Sequence, residues 1–356
     1  MAANAGKTPE TDTDLVLLPD SYFSEADLAL IETIQAAPRA PWSRIAKTLG
    51  IDATTAARRW DRLRAAGLVW VTAYPAPKLT TVAFIDIRCR PQQLDAFCAA
   101  VTALPWVFSV EETAGEYDFL LSVAAIDIPA LGRAIRRDIS AHPDVLATRT
   151  QIGLTLFGEG GDWTLRAMEP ARRTELATPP RTKRTPYGTH ARTALSPEDL
   201  TLIDALSADA RLPYTALATA TALPEHTVRR RLHRLLTAGD LTLRCDFAYP
   251  HAGLPTLVTY HLQVPHPHLP TTASTLIRLP EVRMCATITG PTNLFAQVLL
   301  HSLGEIDPFE SRLSTLLPHL RITTRTLTLH TPKRMGWLLD PRGRATARVP
   351  LNFPDA

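Results

Sequence analysis

Lysine is scarce in this chain: of 38 basic residues five are lysines, leaving 33 arginines, against 35 acids. The resulting net charge of +3 is too mild to demand or to exclude a nucleic-acid partner. An arginine bias of this kind reads first as the mark of a GC-rich genome, so the placement of the charges has to carry the argument. Cysteine is also sparse. Cys89, Cys98, Cys245 and Cys285 lie far apart with no CxxC pair, which excludes a zinc knuckle and a dithiol redox motif and predicts buried free thiols in a reducing compartment. No apolar run approaches the ~18 residues of a membrane span, and the opening MAANAGKTPETDTD has no apolar leader core, so a cytoplasmic location is expected. The chain lacks a phosphate-cradling glycine loop, HExxH and GxSxG. The densest histidine group is His251, His261, His266 and His268, of which His266 and His268 flank a proline in a Pro-rich loop. No catalytic residue, metal or cofactor is therefore predicted.

What the chain does contain is a repeat. Pro41 to Gly67 and Pro213 to Gly239 each read as two short helices joined by a tight turn, and Arg39 aligns with Arg211, Thr55 with Thr227 and Gly67 with Gly239 at one offset (211 − 39 = 172). A helix precedes each pair. In the first copy Ser24-Glu25-Ala26-Asp27 is a capping-box pattern, with Leu28, Ile31 and Ile34 on one face. Pro41 suits the first position of the second helix, Gly50 ends it, and Asp52 caps the third, on which Ala56, Trp60 and Leu63 face inward. Helix-turn-helix units of this kind read DNA through the outer face of the third helix. The candidate DNA-binding residues are thus Thr54, Thr55, Arg58, Arg59 and Arg62 in the first copy, and His226, Thr227, Arg229, Arg230 and Arg234 in the second. Four arginines stand against Asp61 in the first reader, and Arg229, Arg230, Arg231 and Arg234 against Glu225 in the second. A solvated arginine-rich helix explains one such face; its recurrence in the same three-helix frame argues for a reader. Arg59 and Arg231 have a second option, pairing with an acid on the first helix.

After each reader the pattern changes to strands, and the offset becomes 175 (249 − 74) at Tyr74-Pro75 and Tyr249-Pro250. Thr81 to Arg88, a helix carrying Leu94, Phe97, Val101 and Leu104, a hairpin around Ala114-Gly115-Glu116, a helix capped by Asp127, and an alternating last strand through Leu156 give the ferredoxin-like split βαβ pattern. The copy runs from about Pro255 to His330. The predicted class is α+β: two winged-helix-like helix-turn-helix domains (23–74 and 195–249) and two βαββαβ domains (79–157 and 254–331) in tandem. A flexible tail (1–22), a Pro/Arg-rich linker (158–194) and a C-terminal tail (332–356), in which Trp337, Leu338 and Leu339 dock, complete the chain. As a random coil the linker spans roughly 30 to 35 Å, close to one DNA turn. Its Arg172, Arg173, Arg181, Lys183 and Arg184 read as solvated or phosphate-touching.

A capped first helix, an arginine before the second, Thr-Val-x-x-Arg on the third, a closing glycine and Gly-x-Tyr-Asp between the second and third strands resemble the Lrp/AsnC (feast/famine) family of transcriptional regulators. The matches are Asp27, Arg39, Leu49-Gly50-Ile51, Thr55, Arg59, Gly67 and Gly115-Glu116-Tyr117-Asp118 in the first half, and Asp199, Arg211, Thr227-Val228, Arg231, Gly239 and Gly290 in the second. The resemblance implies sequence-specific binding of double-stranded DNA, pairing through the βαββαβ sheets, and a small effector such as an amino acid near the Gly-x-Tyr-Asp loop. The implied effector residues are Gly115, Tyr117, Asp118, Thr148, Thr150, Gly290 and Asn293; for Gly115, hairpin geometry, and for Asp118, bonds to turn amides, are the alternatives. Because one chain carries two units, we expect an intramolecular pseudo-dimer, sheets face to face, or a homo-oligomer built through the same sheets. Two departures stand out. Pro224 leaves the second reader without a side-chain cap, and Gly290-Pro291-Thr292-Asn293 lacks both Tyr and Asp, so the second pocket lacks a negative charge for an ammonium group. The readers differ as well, which favours a non-palindromic site. Two rival readings share the resemblance: an enzyme similar to the siroheme decarboxylases, which keep this fold and act on tetrapyrroles, and an effector-sensing module with weakened DNA binding.

Overall fold

Ser24 starts the first helix as its capping box requires, its hydroxyl accepting from the Asp27 N–H while Asp27 accepts from the Ser24 N–H. The computed structural model describes residues 23–160, 163–167, 185–187 and 195–353. The N-terminal tail and the linker residues Arg172, Arg173, Arg181, Lys183 and Arg184 lie outside the described residues. The first reader consists of α1 (Glu25–Ala36), α2 (Trp42–Leu49) and α3 (Ala53–Ala65). Leu30, Ile31, Ile34, Ile45, Ala56, Trp60 and Leu63 meet in its core. Pro41 sits one position earlier than expected, as the N-cap of α2, where its fixed φ of −63° leads the chain into the helix. Asp52 caps α3 by accepting from the Thr55 N–H at 2.8 Å.

The strand that follows, β1 (Val69–Pro75), is no wing of its own domain. A lone strand leaves its backbone groups unsatisfied, and β1 solves this by pairing antiparallel with the equivalent strand of the second copy, β7 (Leu241–Phe247), Thr72 lying opposite Arg244. Both readers hang on this shared ribbon. Val69, Val71, Ala73, Cys245 and Phe247 join one hydrophobic core with helices of both copies. The second reader is α6 (Pro197–Ala208), α7 (Tyr214–Thr221) and α8 (Glu225–Thr237).

The first βαββαβ unit runs β2 (Thr81–Cys89), α4 (Leu94–Thr102), β3 (Val107–Ala114), β4 (Phe119–Ala125), α5 (Ile128–Ala134) and β5 (Val145–Gly158), with β6 (Thr185–Pro186) of the linker paired on β5. The second runs β8 (Thr256–Gln263), α9 (Leu269–Leu276), β9 (Val282–Ile288), β10 (Leu294–Leu300), α10 (Ile306–Leu316) and β11 (Arg321–Arg334). Each unit alone has two bare edges, and both edges are used. β5 pairs with β9 and β11 pairs with β3, so the ring β3-β4-β2-β5-β9-β10-β8-β11 closes on itself as an antiparallel barrel. The register obeys the offset found in the sequence: Thr155 faces Thr287 and His330 faces Glu112. Where sheets packed face to face were expected, the two units are joined edge to edge. Inside, Phe84 and Phe295 stack at 4.2 Å. Outside, α4 and α5 cover one half through Phe97, Val101 and Leu131, and α9 and α10 the other through Ala273, Phe309 and Leu313.

The C-terminal segment, expected as a tail in which Trp337, Leu338 and Leu339 dock, extends the sheet through these residues. β12 (Trp337–Leu339) turns back on β11 and β13 (Ala345–Arg348) on β12. The Ala345 N–H then donates to the Gly67 carbonyl at 2.8 Å, tying the chain end to the first reader. The described pieces of the linker dock as well: the Trp163 indole N–H donates to the Pro280 carbonyl at 2.7 Å.

Candidate nucleic-acid interface and effector site

An arginine-rich helix facing solvent has to be held in place by something other than its own charges, and here α1 supplies the hold. Asp27, the acid of the capping box, is 4% exposed and accepts from Arg62 at 3.0 Å, with the Arg59 Nε at 3.7 Å. Its counterpart Asp199 accepts from Arg231 at 3.0 Å and from Arg234 at 2.5 Å. Burial raises the Asp199 carboxyl, but bonds from Arg234, the Ser196 backbone and Arg231 outweigh it and keep the group below the usual carboxylate range. Arg59, Arg62 and Arg234, expected at the DNA, are thus engaged with the first helix, the option foreseen only for Arg59 and Arg231. Arg229 also turns back, donating to Glu225 at 2.6 Å and lying 4.0 Å over the Tyr214 ring. Thr55 commits its hydroxyl to Asp52 at 2.5 Å, and Thr227 bonds His226 at 3.2 Å. Thr54, Arg58, His226 and Arg230 are exposed, and neither Arg58 nor Arg230 enters an ion pair among the described residues. Pro224 provides no side-chain cap.

The two readers are clamped to one another by a reciprocal contact. Arg39 donates through both terminal nitrogens to the carbonyls of Ala210 and Leu212, while Arg211 donates to Pro38 at 2.6 Å and Ala40 at 3.0 Å. Arg39 lies 5.0 Å over Tyr214 and Arg211 4.1 Å over Trp42. Burial lowers the Arg211 guanidinium to about 10, leaving it cationic at neutral pH. The arginine before the second helix is therefore an interface residue. Its constancy at offset 172, at a position just outside a helix, is the signal from which that role could have been read.

The two Gly-x-x-x loops lie where the units meet. A Cβ on Gly115 would stand 3.7 Å from Thr326 of β11, and one on Gly290 3.7 Å from Gln151 of β5, so each loop covers the last strand of the other unit. Tyr117 lies beneath Arg88 and Arg149, 5.6 and 4.9 Å from its ring. Arg149 donates to Asp86 at 2.9 Å, and Gln151 bonds His261 at 2.7 Å. Four implied effector contacts are placed elsewhere. Asp118 accepts from the Cys89 N–H at 2.7 Å, and Asn293 clasps the Val264 backbone through both of its side-chain atoms, at 3.0 and 2.7 Å. Both residues pin a strand end, a task for which the Asn side chain serves as the Asp carboxylate does. Thr148 and Thr150 are exposed, alternating with Arg149 and Gln151, which occupy the opposite face of β5. The polar residues that do gather at these junctions, Asp86, Arg149, Gln151 and His261, were missed because each looks like an ordinary alternating strand position.

Cys89 and Cys98 are free thiols pushed up to about 12 by burial, which leaves them unreactive. Among the described residues no group of three or more His, Cys, Asp or Glu side chains could hold a metal ion, and no helix is long and apolar enough to cross a membrane.

Both unit types match known families. Residues 24–64 and 198–236 match the AsnC-type helix-turn-helix domain, and residues 82–157 and 258–338 match the Lrp/AsnC ligand binding domain. The chain belongs to the Lrp/AsnC family. It is similar to the proline dehydrogenase transcriptional activator of Rhodobacter capsulatus, 28% identical over 137 residues that make up 36% of this chain and 88% of that one. It is also similar to the HTH-type transcriptional regulator LysM of Saccharolobus solfataricus, 26% identical over 136 residues, or 37% and 94% of the two chains. Each of these Lrp/AsnC relatives is about one of the two units long. A likeness over the whole architecture is found in the siroheme decarboxylase NirDL, with a TM-score of 0.57 at 15% identity, covering 88% of this chain and 93% of that one, and it concerns the fold alone.

Proposed function

We propose that the chain is a sequence-specific DNA-binding transcriptional regulator whose two readers act as a fixed, unequal pair, and that it responds to a small effector of the amino-acid class. The observation that carries this reading is the reciprocal clamp: Arg39 and Arg211 lock two AsnC-type readers to each other, and the exposed faces carry Arg58 and Arg230 at equivalent places. A rigid pair presents two recognition helices at one spacing, as two half-sites on a duplex require. Because Thr54 in one reader corresponds to His226 in the other, while Arg58 and Arg230 are alike, the site read is asymmetric. The effector's place is the junction of loop and strand at Gly115 and Tyr117, with Gly290 opposite.

Selection of bound sequences from a random duplex pool tests this reading, and an absence of enrichment ends it. On the selected site, Arg58→Ala and Arg230→Ala together are expected to reduce the salt slope of binding by about 1.8, or ~0.9 for each phosphate no longer neutralised. A slope unchanged from the parent removes these two residues from the interface. The whole-chain likeness to NirDL favours one second reading, tetrapyrrole chemistry on the same fold, and absorbance of the purified protein in the Soret region after incubation with a tetrapyrrole tests it.

A further inference from the structure

Two buried cations in the barrel have no carboxylate in direct ion-pair contact among the described residues, and Glu111 and Asp246 act on both only from further off. Arg283 on β9 and Arg334 on β11 are each 5% exposed, and neither enters an ion pair among the described residues. Arg283 donates to the Gln297 oxygen at 2.9 Å and its Nε has no partner; Arg334 lies 3.7 Å over the Tyr249 ring and donates to the Phe247 carbonyl at 3.3 Å. Arg244 of the β7 ribbon, 4% exposed, stands beside them and is matched by Asp246 at 2.6 Å. Buried charge without a direct partner is costly, and it persists where something else supplies the opposite sign.

These guanidiniums line a cavity of about 80 Å³ at the end of the barrel beneath the β1–β7 ribbon, walled also by Tyr74, Glu111 and Gln297. Glu111 feels the charge of Arg283 and Arg334, but it is drawn onto Gln297 by two bonds of 2.9 Å and onto Thr328 at 3.3 Å, and burial outweighs these and pushes its carboxyl up. Glu159, the other acid facing the space, accepts from the Tyr74 hydroxyl at 3.0 Å. At the floor, Gly160 leaves room for two of the arginines to converge: a Cβ there would stand 2.6 Å from Arg283 and 2.8 Å from Arg244.

The place of the cavity matters as much as its charge. It takes Phe108 and Arg283, Ser122 and Gln297, and Glu159 and Arg334, each pair related by the offset of 175, so it straddles the axis that relates the two units. Val82 borders it, while Asp86, beside the loop junctions, lies further along β2 past the Phe84–Phe295 stack. The cavity is therefore a separate place from the Gly115 and Gly290 junctions. Tyr74 and Arg244 belong to the ribbon from which both readers hang.

We propose that this axial cavity binds a compact anion, a small molecule carrying a carboxylate or phosphate group, between Arg283, Arg334 and Arg244. The anion completes the charge balance of the barrel end and touches the ribbon directly. The site is independent of which loop takes an effector and of whether the readers bind DNA, so it is tested on the full chain without DNA. Calorimetric titration with succinate, L-glutamate and inorganic phosphate at constant ionic strength is expected to show saturable binding of at least one of them. Arg283→Met is expected to weaken that binding by about tenfold or more, as removal of a charge-assisted hydrogen bond does. Gly160→Ala, which fills the floor while leaving every charge in place, is expected to do the same, and it guards against Arg283→Met failing to fold. No saturable binding of any of the three up to about 10 mM, a millimolar limit that marks the weakest specific affinity, overturns the proposal. So does binding that both variants leave within twofold of the parent.

Discussion

Removing either arm of the clamp between the readers should loosen the pair without unfolding the barrel. Arg39→Ala deletes two charge-assisted bonds, to Ala210 and Leu212, and a stack on Tyr214; Arg211→Ala deletes the equivalent bonds to Pro38 and Ala40 and a stack on Trp42. A charge-assisted bond contributes ~1.5 kcal/mol net at its weaker end, and an exposed cation–π contact ~0.5 to 1 kcal/mol. Both arginines are partly open to water, which re-solvates part of what is removed, so each single variant is expected to cost about 2 to 3 kcal/mol. Arg211→Ala should cost the more of the two, because Trp is the better ring and lies 4.1 Å away against 5.0 Å for Tyr214. Urea unfolding followed by tryptophan fluorescence measures this directly, since Trp42 loses its cover in one variant and keeps it in the other. Lysine at either position should recover less than half of the loss, for a point charge cannot fork across two carbonyls. If both alanine variants fell within about 0.5 kcal/mol of the parent, the clamp would contribute nothing and the pairing of the readers would rest on the β1–β7 ribbon alone.

Two further outcomes follow from other parts of the fold. Gly67 and Gly239 close equivalent helices with φ of +69° and +65°, yet a Cβ on Gly67 would stand 2.4 Å from the Ala345 carbonyl oxygen while one on Gly239 meets nothing closer than 3.8 Å. Gly239→Ala should therefore cost only the ~1 kcal/mol of a left-handed alanine, and Gly67→Ala at least twice that; equal losses in thermal melts would show that the C-terminal hairpin does not press on the first reader. Burial, helped by Arg149, lowers the His261 imidazole to about 4, below its unfolded value near 6.5, so the stability it contributes is full above pH 6.5 and is lost as pH falls towards 4. The difference between parent and His261→Gln should change by on the order of 2 to 3 kcal/mol across that window, and a flat difference would place the histidine in water.

Local chemistry was the most legible part of this molecule. The capping box at Ser24, the cap at Asp52, the inward stripe of Ala56, Trp60 and Leu63, and the order of the βαββαβ elements all follow from residue spacing, because each is decided within a turn or two of chain. The pairings across the repeat were not legible. Nothing in Val69–Pro75 says that its partner is the equivalent strand of the other copy, and nothing in β5 or β11 says which foreign edge it will meet. The site residues divide along the same line. Arg58 and Arg230 stand exposed on the outer face, as helical periodicity places them, but Arg62 and Arg234 reach back to an aspartate more than thirty residues earlier, a contact invisible to periodicity. Asp118 and Asn293 looked like a charged ligand position and its neutral remnant; both clasp a strand end, a task that asks for an acceptor and not for a charge.

The closed ring of strands also changes what evolution is free to do with the molecule. When two identical chains form such a barrel, every residue near the axis faces its own copy, and an arginine there must meet an arginine. Joined in one chain, the halves escape that constraint: Arg334 can stand where the first half has Glu159, Arg283 where it has Phe108, and Gln297 where it has Ser122. Among the described residues both edges of each unit are paired inside the chain, so the ring itself presents no bare strand edge. Carried on one chain, the chamber has a direction that a symmetric pair could not give it.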